Sequence, residues 1–206
     1  MNPPNPPLVT PPKSREVSIN GKLYELVAFY YPDRDTPWDT TYQGQFLANF
    51  YPSRITLTIN GITGSFFTAE AAFQATKWWN SPNDLAQLEG AKTGTDAFHI
   101  KRGLSNPDNS YAGLGRDGAM KAVLTQKFSD PSLNQALLLT GDAYLLEHNE
   151  VNGRDSYWSD DHDGSGANML GRTLMEVREA CGGAPAPLGN YTVADFTAQV
   201  EINAQW

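Results

Sequence analysis

Apolar and polar side chains alternate most clearly between residues 55 and 67. Ile55, Leu57 and Ile59 are separated by Thr56 and Thr58, the period of a strand with one face buried. Asn60-Gly61 supplies the two positive φ values of a type I′ turn, so 62–67 is predicted to return as the second strand of a hairpin. The period then changes. Thr68 is a favoured helix cap, and a helix is predicted from there to about Trp79, with Glu70 in its first turn. Glu70, Phe73, Gln74 and Lys77 fall at i, i+3, i+4 and i+7 and share one face. A face carrying a carboxylate, an aromatic ring, an amide and an amine is too polar for ordinary core and too aromatic for ordinary surface.

The same reading extends in both directions. Residues 17–19, Asn20-Gly21 and residues 22–30 predict a further hairpin. Residues 33–44 read as a polar loop carrying Arg34 and Trp38. Ser81-Pro82-Asn83 breaks the chain, and short helices are expected over 84–90 and 95–102, with loop over 105–115. Met120, Val123, Leu124 and Phe128 mark the apolar stripe of a helix over 116–128. Asp130-Pro131 starts another, ended near Gly141 by a residue suited to a left-handed cap. A strand over 144–146 and a long polar loop over 149–166 follow. A helix over 168–180 turns Leu170, Leu174 and Val177 inward and stops at Gly182-Gly183. A last helix over 192–202 packs Phe196 and Val200.

Composition sets bounds on this picture. A chain of 206 residues suits one domain of ordinary size. Six prolines lie within residues 1–12, so 1–15 is expected to be a disordered or polyproline-like tail. A net charge of −8 disfavours non-specific duplex binding, which depends on basic contacts to phosphates; a nucleic-acid substrate would be gripped at a single nucleotide. Cys181 is the only cysteine, which excludes a disulfide framework and a cysteine-rich metal site. No apolar run reaches the ~18 residues of a membrane span, and the N-terminus lacks an apolar signal core. A soluble, intracellular protein is the expectation, and the Asn190-Tyr191-Thr192 sequon carries no weight there.

Three motif matches fail on context. Gly113-Leu114-Gly115-Arg116-Asp117-Gly118 fits G-x-G-x-x-G, but no buried strand precedes it. The acidic run Asp160, Asp161, Asp163 resembles a calcium loop, yet Ser159 would occupy the first ligand position and Leu170 the twelfth, where a Glu is required. His99, His148 and His162 show no zinc spacing.

Several separated strings carry a family likeness. Phe46-Leu47, Asn49-Phe50-Tyr51-Pro52, then Thr68, Glu70, Phe73-Gln74-Ala75 and Lys77 resemble the signature of the NADAR superfamily, the YbiA-like proteins. Ala48 and Ala71 stand where that signature has Ser and His. The likeness continues in order through Lys127-Phe128, Thr140-Gly141-Asp142, Leu146-Glu147, Asp155 with Trp158, Asn168 to Gly171, and Leu174 to Arg178, covering about residues 27–182. Ala112 falls where YbiA-like members carry a tryptophan, with Tyr111 adjacent as a substitute stacking surface.

The resemblance implies an α+β fold, a single mainly helical domain with short β-hairpins over 16–183, followed by an extension over 184–206 with a packed helix. It also implies cleavage of a bond between a ribose anomeric carbon and an exocyclic nitrogen. One such activity removes ADP-ribose from the amino group of guanine in nucleic acid. A second hydrolyses ribosylamino intermediates of riboflavin biosynthesis, and a third possibility is a non-catalytic ADP-ribose or nucleotide-binding module. The substrate partner is then an ADP-ribosylated guanine nucleotide or nucleic acid, with ADP-ribose as product; no cofactor or metal is called for, and no membrane or stable protein partner is implied.

The catalytic candidates are Glu70, Asp155 and Lys77; the substrate-binding candidates are Phe46, Asn49, Tyr51, Gln74, Tyr111, Trp158 and Asn168. A carboxylate stabilises the positive charge that develops at the anomeric carbon, and a second group protonates the leaving nitrogen or activates water. Aromatic rings sandwich a base, and Asn49 suits an amide edge or a ribose hydroxyl. Each key residue also has a structural alternative. Glu70 can complement the helix dipole, Asp155 can be a turn residue after Gly153, and Trp158 can be core. Lys77 can pair with Glu70 or substrate phosphate, or attack an opened ribose aldehyde.

Overall fold

A computed structural model describes residues 9–32 and 36–204. Most of the proline-rich segment and Arg34 therefore lie outside the described residues. The architecture is α+β, as expected, and chain contacts group into two compact units. The first takes in residues 49–130, the second residues 10–48 and 131–204.

The second unit is built on a three-stranded sheet in the order β1-β2-β5, from β1 (Arg15–Ile19), β2 (Lys22–Phe29) and β5 (Tyr144–Glu147). Asn20 and Gly21 both have positive φ and close the antiparallel β1–β2 hairpin. β5 lies parallel to β2, with Leu26 opposite Tyr144 and Phe29 opposite Glu147. Leu26 thus has strand neighbours on both edges, while Val27, Ala28 and Phe29 pair with β5 alone, and all four are fully buried, in keeping with the unbroken apolar run that ends β2.

Residues 36–44 depart from the polar loop expected over 33–44. α1 (Pro37–Tyr42) starts with Thr36 as N-cap and proline at the first helical position, and it buries Trp38, Asp39 and Tyr42. Asp39 satisfies its buried carboxylate by accepting from the Tyr30 amide at 3.0 Å and from Thr36 Oγ1 at 2.6 Å, although burial pushes its pKa up to about 6. The helix was missed because its inward face is built from polar-tipped side chains, Trp38, Asp39, Thr41 and Tyr42.

α6 (Pro131–Leu138), α7 (Met169–Ala180) and α8 (Val193–Ala204) complete this unit. α7 packs on β5. Arg178 in its last turn is wholly buried and donates to Thr140 Oγ1 and to the carbonyls of Ala143, Ala184 and Pro185. That family-like arginine is thus a clamp on the chain leaving the helix. Phe196 of α8 stacks on Tyr144 with ring centres 4.0 Å apart.

The first unit begins with the hairpin of β3 (Pro52–Ile59) and β4 (Ile62–Thr68). β3 alternates strictly, burying Ser53, Ile55, Leu57 and Ile59. On the exposed face, Thr56 meets Ser65 and Thr58 meets Thr63 through their hydroxyls. Asn60 and Gly61 take the positive φ values the turn requires. α2 (Ala69–Ala75) follows at once, with Thr68 Oγ1 accepting from the Ala71 amide at 3.1 Å. The expected helix to Trp79 is shorter than read: Thr76–Trp78 tightens into a 3-10 turn. α3 (Pro82–Gly90), α4 (Gly94–Gly103) and α5 (Gly115–Lys127) surround α2, and the four alanines of α2 keep that approach close. Gly94 belongs to the same packing, because a Cβ there would fall 2.3 Å from the Phe50 ring.

Candidate active site

The ten candidate residues divide between the units. Asn49, Tyr51, Glu70, Gln74, Lys77 and Tyr111 belong to the first, and Phe46, Asp155, Trp158 and Asn168 to the second.

In the first unit the shared helix face becomes a hydrogen-bonded relay. Gln74 Nε2 donates to Glu70 Oε1 at 2.9 Å, and Lys77 Nζ donates to Gln74 Oε1 at 3.0 Å. The amide uses both ends to join a carboxylate to an ammonium. The 3-10 turn assists this, because i and i+3 side chains eclipse in that geometry, bringing Lys77 into line with Gln74. Glu70 is only 7% exposed, so its charge sits where electrostatic effects exceed those in water. Burial lowers the pKa of half-buried Lys77, helped by the nearby charge of Lys101 and opposed by Glu70. Its Nζ also lies 5.6 Å from the centre of the Phe73 ring and 5.4 Å from that of Tyr111, which stack on each other 5.6 Å apart.

Tyr111 is held in place at a conformational cost. Tyr111, Ala112 and Gly113 run consecutively at φ of 55°, 57° and 86°, a left-handed run that two non-glycine residues rarely enter. Asp108 fixes it by accepting from the amides of Ser110 and Ala112, and Ser110 Oγ accepts from Gly113. Asn60 at the hairpin tip donates to the Ala112 carbonyl, and the Asp108 amide donates to the Lys77 carbonyl. Nothing in the composition of 105–115 signals that strain.

Asn49 is buried, with its amide nitrogen 3.6 Å from Met120 Sδ and its amide oxygen without a hydrogen-bond partner. An unmet buried acceptor on a residue expected to bind substrate supports that role. Tyr51 is buried too, and burial raises its phenol pKa. Beside it stands Lys127, wholly buried, with Nζ 5.9 Å from the Tyr51 ring centre and 5.3 Å from that of Phe128. Burial pulls the Lys127 pKa down to about 7. Sequence reasoning matched Lys127 to a motif and gave it no role. The signal was available, because Lys127 falls seven residues after Met120 on the apolar stripe.

In the second unit, Asp155 lies in the loop after β5 and is half-buried. Its Oδ1 accepts from the amides of Tyr157 and Trp158 at 3.1 and 2.9 Å, while its own amide donates to Asp161 Oδ1. Asp155 therefore closes a turn, as one reading expected, and it positions Trp158 directly. Trp158 is half-buried and meets Tyr157 edge-on at 5.0 Å, so it is not a core tryptophan. Phe46 is 2% exposed in the 3-10 turn Gln45–Leu47 and belongs to the packing. Asn168, an expected substrate contact, is engaged within the fold. It is wholly buried, its Oδ1 accepts from the Glu147 amide and its Nδ2 donates to the Leu145 carbonyl and Tyr144. Its amide ties the start of α7 to β5 and spends both of its N–H donors there. A cleft of about 330 Å³ lined by Tyr144, Arg172, Met175, Glu176 and Tyr191 contains none of the ten candidates.

A riboflavin biosynthesis protein of Vibrio vulnificus is 29% identical over 185 residues, which is 89% of this chain and 45% of that protein. The N-glycosidase YbiA of Escherichia coli is 34% identical over 113 residues, 54% of this chain and 68% of the relative. An N-glycosidase of Nostoc punctiforme is 30% identical over 115 residues, 54% of this chain and 72% of that one. The chain thus spans less than half the length of the first of these relatives. Among solved structures, the NMR structure of Escherichia coli YbiA aligns with a TM-score of 0.58 at 27% identity, over 75% of this chain and 83% of that one. The family profile described as NADAR domain matches residues 36–181, and the chain belongs to that family.

Proposed function

We propose that the protein is an N-glycosidase that hydrolyses the bond between ADP-ribose and the exocyclic amino group of guanine in nucleic acid. The observation that carries this reading is the Glu70–Gln74–Lys77 relay with its buried carboxylate, in a family whose relatives include named N-glycosidases. The C1′–N bond breaks with its electron pair going to nitrogen, which takes a proton, and a water oxygen bonds to C1′. Glu70 holds negative charge beside the developing oxocarbenium ion, and the Gln74 amide fixes its rotamer. Lys77 is the charged donor at the far end of the relay, placed for a phosphate or a leaving group. In the first unit Tyr111 supplies stacking surface for a base; in the second, Asp155 is the candidate for activating water and Trp158 the candidate stacking ring. Asn49 meets an amide edge or ribose hydroxyl through its unpaired oxygen.

A second reading takes ribosylamino intermediates of riboflavin biosynthesis as substrate. The Vibrio vulnificus relative, whose alignment takes in 89% of this chain, favours it. Mass spectrometry of products distinguishes the two. Incubation with a guanine-ADP-ribosylated oligonucleotide is expected to release free ADP-ribose and restore unmodified oligonucleotide. Release from a ribosylamino pyrimidine alone contradicts the first reading and supports the second.

A further inference from the structure

The long loop after β5 carries a group of side chains that the hydrolytic reading does not use. His148 is 1% exposed, and its Nδ1 lies 2.6 Å from Asp160 Oδ2. A carboxylate accepts, so Nδ1 carries the proton and donates. Nε2 on the other side of the ring is buried without any hydrogen-bond partner. His162 repeats the pattern, with Nδ1 2.9 Å from the backbone carbonyl of Asn149. A carbonyl can only accept, so that proton is also on Nδ1, and the Nε2 lone pair is left for a ligand. The two rings stack 5.2 Å apart. Glu201 on α8 joins them: one ligand atom from each of His148, His162 and Glu201 lies within 4.8 Å of the other two.

We infer that His148, His162 and Glu201 form a binding site for a divalent transition-metal ion of the zinc class. Two imidazoles and a carboxylate are a donor set that such ions take up readily. Both histidines already have the outer partners that metal-binding histidines use, a carboxylate for one and a backbone carbonyl for the other. Asp160 also ties the two sides together, since its Oδ2 accepts from Thr197 Oγ1 at 2.8 Å. Thr197 and Glu201 stand at i and i+4 on α8, on one face of the helix. Donors on one tetrahedral ion at bond lengths of ~2.0–2.1 Å lie closer together than 4.8 Å, and the solvent-exposed Glu201 with half-buried His162 can close that gap by side-chain rotation. His162 takes φ of 72° directly after Asp161 at 59°, a strained pair that a bound ion would hold in place. No short histidine motif announces the site, because 13 residues separate its histidines. The ion would pin the loop that bears Asp155 and Trp158 to α8, and it takes no part in bond cleavage.

Zinc titration of the untagged, chelator-treated full chain by calorimetry tests the site. One saturable equivalent is expected, together with a rise in Tm on zinc addition and a cobalt spectrum of nitrogen–oxygen coordination. His162→Ala and Glu201→Gln should each weaken zinc by at least about tenfold, since even outer-partner losses cost 10–100-fold, while His99→Ala binds as wild type does. Circular dichroism and the metal-free Tm confirm that the exposed Glu201→Gln variant is folded. Absence of stoichiometric binding, or wild-type affinity in both His162→Ala and Glu201→Gln, overturns the assignment.

Discussion

At the scale of single residues, the Glu70 face was legible because helix spacing is local: residues four apart meet whatever the tertiary structure does. The roles of Asp108 and Lys127 were not: Asp108 holds a left-handed run that composition does not signal, and the burial of Lys127 beside Tyr51 depends on the fold. Lys77 carries the sharpest prediction here. Its Nζ is engaged with Gln74, so its expected contribution is as a charged donor rather than as an amine nucleophile. The activity should therefore fall at high pH as Lys77 loses its proton. Because burial depresses its pKa, that alkaline limb should lie below the ordinary lysine value of 10.5. Lys77→Met is expected to cost roughly 10²-fold in kcat and Lys77→Arg to move the limb upward. Borohydride added during turnover should trap no adduct, and a reduced adduct on Lys77 would instead establish the covalent route.

At the scale of elements, caps and turns placed most boundaries within a residue or two, as with Thr68 before α2 and Asn60-Gly61 between β3 and β4. α1 escaped because its polarity disguised burial: beyond its local partner Thr36, Asp39 is satisfied by the Tyr30 amide, which only the fold brings near. The seam between α7 and β5 was equally hidden and rests on Gly171. A Cβ at that position would stand 2.0 Å from the Leu145 carbonyl oxygen and 2.6 Å from both amide atoms of Asn168. Neither neighbour is the free end of a flexible chain, since the Asn168 amide is itself held by β5. Gly171→Ala should gain helix propensity of about 0.5–1 kcal/mol but lose more to overpacking, about 1–3 kcal/mol. Calorimetry is expected to show a Tm lower by up to roughly 10 °C. An unchanged or higher Tm would show that α7 does not press on β5 as closely as described.

At the scale of the whole molecule, the hairpins could be read from sequence and the parallel β2–β5 pairing could not, because it joins segments over a hundred residues apart with no local turn to announce it. The α+β class comes from the family resemblance, and the strand and helix periodicities agree with it. Lys127 gives the molecule a pH signature. Its pKa falls to about 7 on folding from the ordinary 10.5, so between those values the unfolded chain binds the extra proton. Stability then rises with pH across that window, by up to about 1.4 kcal/mol per pH unit from this group, and the penalty is full below it. Chemical denaturation at pH 6, 8 and 10 should show that rise in wild type and a flatter profile in Lys127→Met; equal profiles would contradict it. The central claim is that the buried Glu70 carboxylate drives glycosidic hydrolysis. Turnover of guanine-ADP-ribosylated oligonucleotide by wild type and Glu70→Gln, measured as ADP-ribose released, tests it most directly. The account predicts a kcat loss of roughly 10² to 10⁴-fold with Tm close to wild type, whereas near-wild-type turnover in Glu70→Gln would contradict it.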